Sequence, residues 1–133
     1  MATISKLSLS GSFQGKPIQI TTTSSVGTTL HTTGTQSTII DEIWIYATNV
    51  DSAQRTLTIE YGATNSGSEI SVVIPSKSGL SVILPGVVLT GNDTIGTTVT
   101  AYASISNTIN IVGYVNRIIP WVIQNLDLEQ KLV

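Results

Sequence analysis

The chain has 133 residues, 11% of them charged, with one His, no Cys and a formal net charge of -2. So few acids, bases and thiols leave little material for catalysis, which needs positioned acids, bases, nucleophiles or metal ligands. Its 6 cations are scattered, which excludes a basic stripe for nucleic acid; the lack of Cys excludes disulfides and thiolate metal sites; and no window approaches the ~18 apolar residues of a membrane helix.

A hydrophobic fraction of 41% and a mean hydropathy of +0.29 fit one ordinary globular domain. A chain of this size buries roughly two-thirds of its unfolded surface. With a pI near 5.1 and little net charge, the surface is weakly protected from association, so self-association is the expected state. The segment from Met1 to Lys6 lacks the basic head and apolar run of a secretory signal, so the protein is expected to be made in the cytoplasm.

Residues 1–17 read as an extended arm. Ile4, Leu7, Leu9 and Phe13 are spaced among Ser, Lys and Gly, and Ser10-Gly11 and Gly15-Lys16-Pro17 break any regular element. Leu9 and Phe13 are the arm's candidate contacts with a neighbouring subunit. Thr-rich strands are predicted over 18–23 and 26–33, with the lone His31 in the second. One His makes neither a triad nor a metal cluster without distant partners, so a hydrogen-bonded role is expected.

The strongest strand is predicted over 39–50. Ile43, Ile45 and Ala47 point one way, and Trp44, Tyr46 and Thr48 the other. Asp41 and Glu42 are neighbours in it. Adjacent strand residues face opposite sides, so the two cannot form a two-carboxylate site. A turn at residues 51–54 leads to a strand over 56–61, with Leu57, Ile59 and Tyr61 on one face and Thr56, Thr58 and Glu60 on the other. That alternation fits a sheet with one wet face.

Strands over 69–74 and 80–84 follow, then turn signals at Pro85-Gly86 and at residues 90–93, with a brief strand over 87–90 between them. The last two strands are predicted over 97–105 and 108–118. Asp51, Asp93 and Asp127 sit near turns or the chain end, where Asp accepts backbone N–H groups. They lack the spacing of a calcium loop, and no nucleophile elbow is present. Tyr46, Tyr61, Tyr102 and Tyr114 lie in predicted strands, as a core layer or a sugar-stacking face. Ile118-Ile119-Pro120-Trp121-Val122-Ile123 is an apolar run beyond the last strand that needs cover, and Trp is a favoured interface anchor.

About eight short strands joined by Gly, Pro, Asn and Asp turns indicate an all-β fold. The expected architecture is a single jelly-roll-like antiparallel β-sandwich over 18–118, flanked by the arm and a C-terminal tail over 119–133. An immunoglobulin-like sandwich is the alternative.

Several runs carry a resemblance: His31-Thr32-Thr33-Gly34, the stretch from Asp41 to Asn49, the stretch from Leu57 to Gly62, Pro75 to Gly79, Leu84-Pro85-Gly86, and Val112 to Ile118. Together they resemble small β-sandwich virion proteins of tailed bacteriophages, several of which are capsid decoration or cement proteins. The resemblance implies a non-enzymatic homotrimer on the capsid surface, binding the outside of the major capsid protein lattice and stabilising the head. It implies no catalytic residue, cofactor or metal, and no nucleic-acid or membrane partner. The expected partner and oligomer contacts are Leu9, Phe13, Ile118, Ile119, Trp121, Val122 and Ile123. The alternatives are a neck or tail virion protein, or a carbohydrate-binding receptor-recognition module.

Overall fold

The computed structural model describes residues 2–120. Among them are nine strands: β1 (Thr3–Ser8), β2 (Ile18–Gln19), β3 (Thr28–Thr32), β4 (Ile40–Asn49), β5 (Arg55–Tyr61), β6 (Glu69–Ile74), β7 (Ser81–Leu89), β8 (Thr98–Ala103) and β9 (Ile109–Ile119). A single 3₁₀ turn, Ser66–Ser68, precedes β6. The strands form two antiparallel sheets, so the fold is an all-β sandwich. Sheet A has the order β1-β9-β4-β7, with β2 also on β9; sheet B has the order β3-β8-β5-β6.

Only β5 and β6 are both consecutive and paired within this set. Nearly every other connection crosses between the two sheets. The period-two reading of β4 is met along its whole length: its residues alternate between partly exposed and buried from Ile40 to Asn49. Ile43, Ile45 and Ala47 enter the core with Leu57 and Ile59 of β5 and Ile109, Ile111 and Val115 of β9, all fully buried. One continuous core therefore joins the two sheets, and its apolar area is the main force holding them together.

Three expectations are corrected. Residues 3–8 are not a free arm but the edge strand β1, paired with β9 from Thr3↔Ile119 to Ser8↔Tyr114. Beyond it Leu9 is buried at 1% exposure, because the chain turns inward there: Gly11 N–H donates to the Leu30 carbonyl at 2.9 Å. Second, the strand predicted over 18–23 shrinks to two residues. Ile20 still reaches the core, and its N–H donates to the Ile109 carbonyl.

Third, Pro85-Gly86 does not turn the chain. It lies inside β7, which runs unbroken from Ser81 to Leu89. The pairing with β4 slips between Ile43 and Trp44 and again between Ile45 and Tyr46, so β7 carries two bulges. β7 is an edge strand, where a residue without an N–H costs no ladder bond. Gly86, at φ 78, takes a left-handed conformation that suits Gly at a bulge. A Cβ there would lie 2.8 Å from the Trp44 indole, so Gly also gives the ring its space.

Candidate functional site

Three polar groupings and two outer faces are the places where chemistry could reside. The first grouping lies inside the sandwich. Period-two geometry turns Asp41 inward from β4 and sets it opposite Arg117 of β9. In β3 the register slips between Thr29 and His31, and this bulge leaves Leu30 and His31 both buried. His31 thus reaches Asp41 across the sheet gap, Nε2 to Oδ2 at 2.7 Å. Arg117 donates to the same carboxylate through Nε at 2.8 Å and Nη2 at 2.9 Å.

The Ser10 backbone N–H donates to His31 Nδ1 at 3.0 Å. An N–H can only donate, so Nδ1 holds a lone pair and the ring proton sits on Nε2, directed at Asp41. The grouping is therefore a neutral imidazole, a carboxylate and a guanidinium. Burial by itself raises the Asp41 carboxyl; the hydrogen bonds from Arg117 and His31, with the Arg117 charge, outweigh it and lower its pKa to about 2. The same pairing pushes Arg117 further up.

His and Asp in contact invite comparison with a nucleophile-activating dyad. A general base needs a lone pair that can reach a substrate proton. Here that lone pair is taken by the Ser10 amide, and His31 is 2% exposed. The Ser10 hydroxyl instead accepts from the Thr32 N–H at 2.7 Å. The arrangement is a clasp that fixes the exit of β1 to β3, β4 and β9.

The second grouping is Glu60, on the side of β5 away from the core yet 1% exposed. The loop between β2 and β3 covers it. Its carboxylate accepts from Ser25 Oγ at 2.5 Å, the Gly27 N–H at 2.7 Å and Thr100 Oγ1 at 2.7 Å. Burial raises this carboxyl, but the three donors prevail and hold it below the usual carboxylate range. The third grouping is the turn acids. Asp51 pairs with Arg55, and Asp93 caps Ser37 through its N–H at 2.9 Å and its hydroxyl at 2.8 Å. Those hydrogen bonds lower both carboxyls. Among the described residues no buried side-chain N or O lacks a partner, and no three His, Asp or Glu converge as a metal requires.

The outer face of sheet B is rich in hydroxyls, as the alternation of β5 implied: Thr58 Oγ1 and Ser71 Oγ lie 3.1 Å apart across the strands. A cleft of about 490 Å³ opens beside it between the loops at Gly62–Thr64 and Asn92–Thr97. Thr29, Thr98 and Thr100 contribute to its wall, Val26 and Ile95 are at its surface, and no ionisable side chain lines it.

The outer face of sheet A is different. Trp44 stands opposite Tyr114, with parallel rings at 6.1 Å between centroids and an interplanar angle of 11°. The Lys6 ammonium lies 4.4 Å from the Tyr114 ring centre. Glu42 accepts from Trp44 Nε1 at 2.8 Å and from Asn116 Nδ2 at 3.1 Å, and these bonds lower its carboxyl. A line of neighbours from Gly86 through Trp44 and Tyr114 to Lys6 thus runs across β7, β4, β9 and β1.

Of the expected partner contacts, Phe13 is 74% exposed. Ile118 and Ile119 are half-buried at the end of β9. Leu9 is inside its own core and is not a surface contact. Trp121, Val122 and Ile123 lie outside the described residues. Glu60, Arg117 and the bulge at Leu30 were missed by sequence reasoning; the loop that buries Glu60 and the slip that turns His31 inward leave no local signal. No family model, characterised protein or solved structure matches this chain.

Proposed function

We propose that the protein is a non-enzymatic virion structural protein: a capsid decoration protein that binds the outside of the major capsid protein lattice as a homotrimer and stabilises the head. The observation that carries the proposal is the internal engagement of its ionisable groups. His31, Asp41 and Arg117 hold one another, Glu60 holds a loop, and Asp51 and Asp93 hold turns. These carboxylates therefore stabilise a slab, and none of them lines the cleft between the loops at Gly62–Thr64 and Asn92–Thr97. The motif resemblance supplies the virion setting.

A trimer bridging lattice subunits gains from linked engagement, since several modest contacts raise the effective affinity together. The carbohydrate-binding alternative rests on the aromatic pair of sheet A. It receives less support, because Tyr114 is already stacked by Trp44 and covered by Lys6, on the surfaces a sugar would use.

The test is reconstitution. Phage heads purified without this protein are incubated with the recombinant chain, pelleted and imaged by cryo-electron microscopy. Fixed-stoichiometry density on the outer head lattice is expected. Failure to co-sediment at micromolar protein refutes the proposal, and density on the neck or tail relocates the protein there. Binding of the free protein on a glycan array supports the carbohydrate reading instead.

A further inference from the structure

We infer that the His31–Asp41–Arg117 clasp is an acid-operated latch on the N-terminal strand: a proton taken up at His31 Nδ1 expels the Ser10 amide and loosens the crossing of residues 9–12 while the sandwich stays folded. This acid response is separate from the proposed capsid role and does not depend on it.

Two hydrogen bonds on one ring set the direction. Nε2–H donates to Asp41 Oδ2 at 2.7 Å, and Nδ1 accepts from the Ser10 N–H at 3.0 Å. An imidazolium has two N–H donors and no acceptor. The bond to Asp41 survives protonation and gains charge assistance. The bond from Ser10 does not survive, because two N–H groups would then point at each other. The carboxylate gives the new charge a partner, so the ring takes the proton without leaving Asp41. Ser10 is the side that yields: it is exposed, whereas His31 and Asp41 are buried. Its outward movement lets water accept from Nδ1–H.

Arg117 of β9 also faces the clasp and opposes a second positive charge. Its side chain is 28% exposed, so solvent screens part of that opposition. The remaining charges near the ring point elsewhere. On β8, Val99 stands opposite His31, and Tyr102 reaches Glu69. Lys6 of β1 lies over Tyr114, Glu42 of β4 bonds Trp44, and Lys16 lies by the Phe13 ring. The chain has one His, and the Asp41 carboxyl is held at about 2. The ring is therefore the group in the clasp that changes charge between about pH 7.5 and 5.

The latch holds a tight crossing. The Thr32 N–H donates to Ser10 Oγ at 2.7 Å, and the Gly11 N–H to the Leu30 carbonyl at 2.9 Å. Gly11 passes so close to β3 that a Cβ there would lie 2.4 Å from the Thr29 carbonyl. The crossing anchors the exit of β1, an edge strand that pairs with β9 alone. Expelling Ser10 weakens this end first and leaves the centre of sheet A in place.

The test is amide hydrogen exchange with imidazole ¹⁵N NMR on the full chain between about pH 7.5 and 5. At the upper end the ring is expected to be neutral with its proton on Nε2. As it protonates, the Ser10, Gly11 and Thr32 amides are expected to lose protection by roughly tenfold or more, after correction for intrinsic exchange. Their midpoint is expected to match that of the ring, while the Ile45 and Ile111 amides keep their protection. A protonated ring with Ser10 still protected overturns the latch. A ring that stays neutral throughout, or protection lost everywhere at once, also overturns it. His31→Gln keeps a donor for Asp41 and removes the acceptor for Ser10, so fast exchange at the three amides is expected at every pH. A pH step that persists in His31→Gln assigns the response to another group and refutes the latch.

Discussion

Arg117→Met removes the guanidinium that faces Asp41 and leaves the carboxylate buried beside His31. Asp41 is fully buried, and Arg117 supplies two of its three hydrogen bonds. Breaking one side of such a pair typically costs about 3–5 kcal/mol, because the remaining charge has lost its solvation and its partner together. For a domain of this size that corresponds to a Tm lower by roughly 10–20 °C. The pH dependence gives the sharper reading. In the parent protein the Asp41 carboxyl lies at about 2, below the ~3.9 of an unfolded chain. A depressed folded value contributes stability that is fully present above pH ~4 and is lost as pH falls toward 2, amounting to about 2–3 kcal/mol.

In the variant, burial is left as the dominant influence and raises the carboxyl above its unfolded value. The sign then reverses: the native state binds a proton more readily than the unfolded chain, and stability rises as pH falls from 7 toward 5. Urea unfolding of both proteins from pH 4 to 8, followed by near-ultraviolet circular dichroism, separates the two behaviours. A loss below about 1 kcal/mol at pH 7, with the parent's pH profile retained, refutes the picture of a buried charge dependent on Arg117. The double variant Asp41→Leu/Arg117→Met is expected to recover much of the loss, since apolar replacement of a whole buried pair is often neutral or better.

Glu60→Gln turns an acceptor-only carboxylate into an amide whose NH₂ must face one of three donors. A loss of about 1–3 kcal/mol is expected, with hydrogen exchange accelerated at Gly27 and Thr28 before the rest of sheet B. Gly86→Ala places a Cβ 2.8 Å from the Trp44 indole at a φ of 78, and thermal unfolding is expected to show a loss of about 1–3 kcal/mol. Ile59→Ala, at a fully buried position, is expected to cost about 2–5 kcal/mol in the same assay. Phe13→Ala, at a 74% exposed position, is expected to stay within about 0.5 kcal/mol; a loss comparable to Ile59→Ala contradicts the surface placement of Phe13.

The all-β class, the strands between residues 26 and 74 and the two after residue 97, and the faces of β4 and β5 were legible in the sequence. These follow from alternation, a local property carried by neighbours two residues apart. That Asp41 and Glu42 face opposite sides was likewise legible; the fold then put Asp41 inside and Glu42 beside Trp44. What depends on strands far apart in the chain was set by long-range pairing. It made residues 3–8 an edge strand, because β9 offered them an open ladder. It ran β7 straight through Pro85-Gly86, because an edge can absorb a bulge that would break a central strand. It brought His31, Asp41 and Arg117 together from three strands in two sheets, and it buried Glu60 under a distant loop. A periodic pattern states which side of a strand a residue takes; it holds no information about what stands opposite.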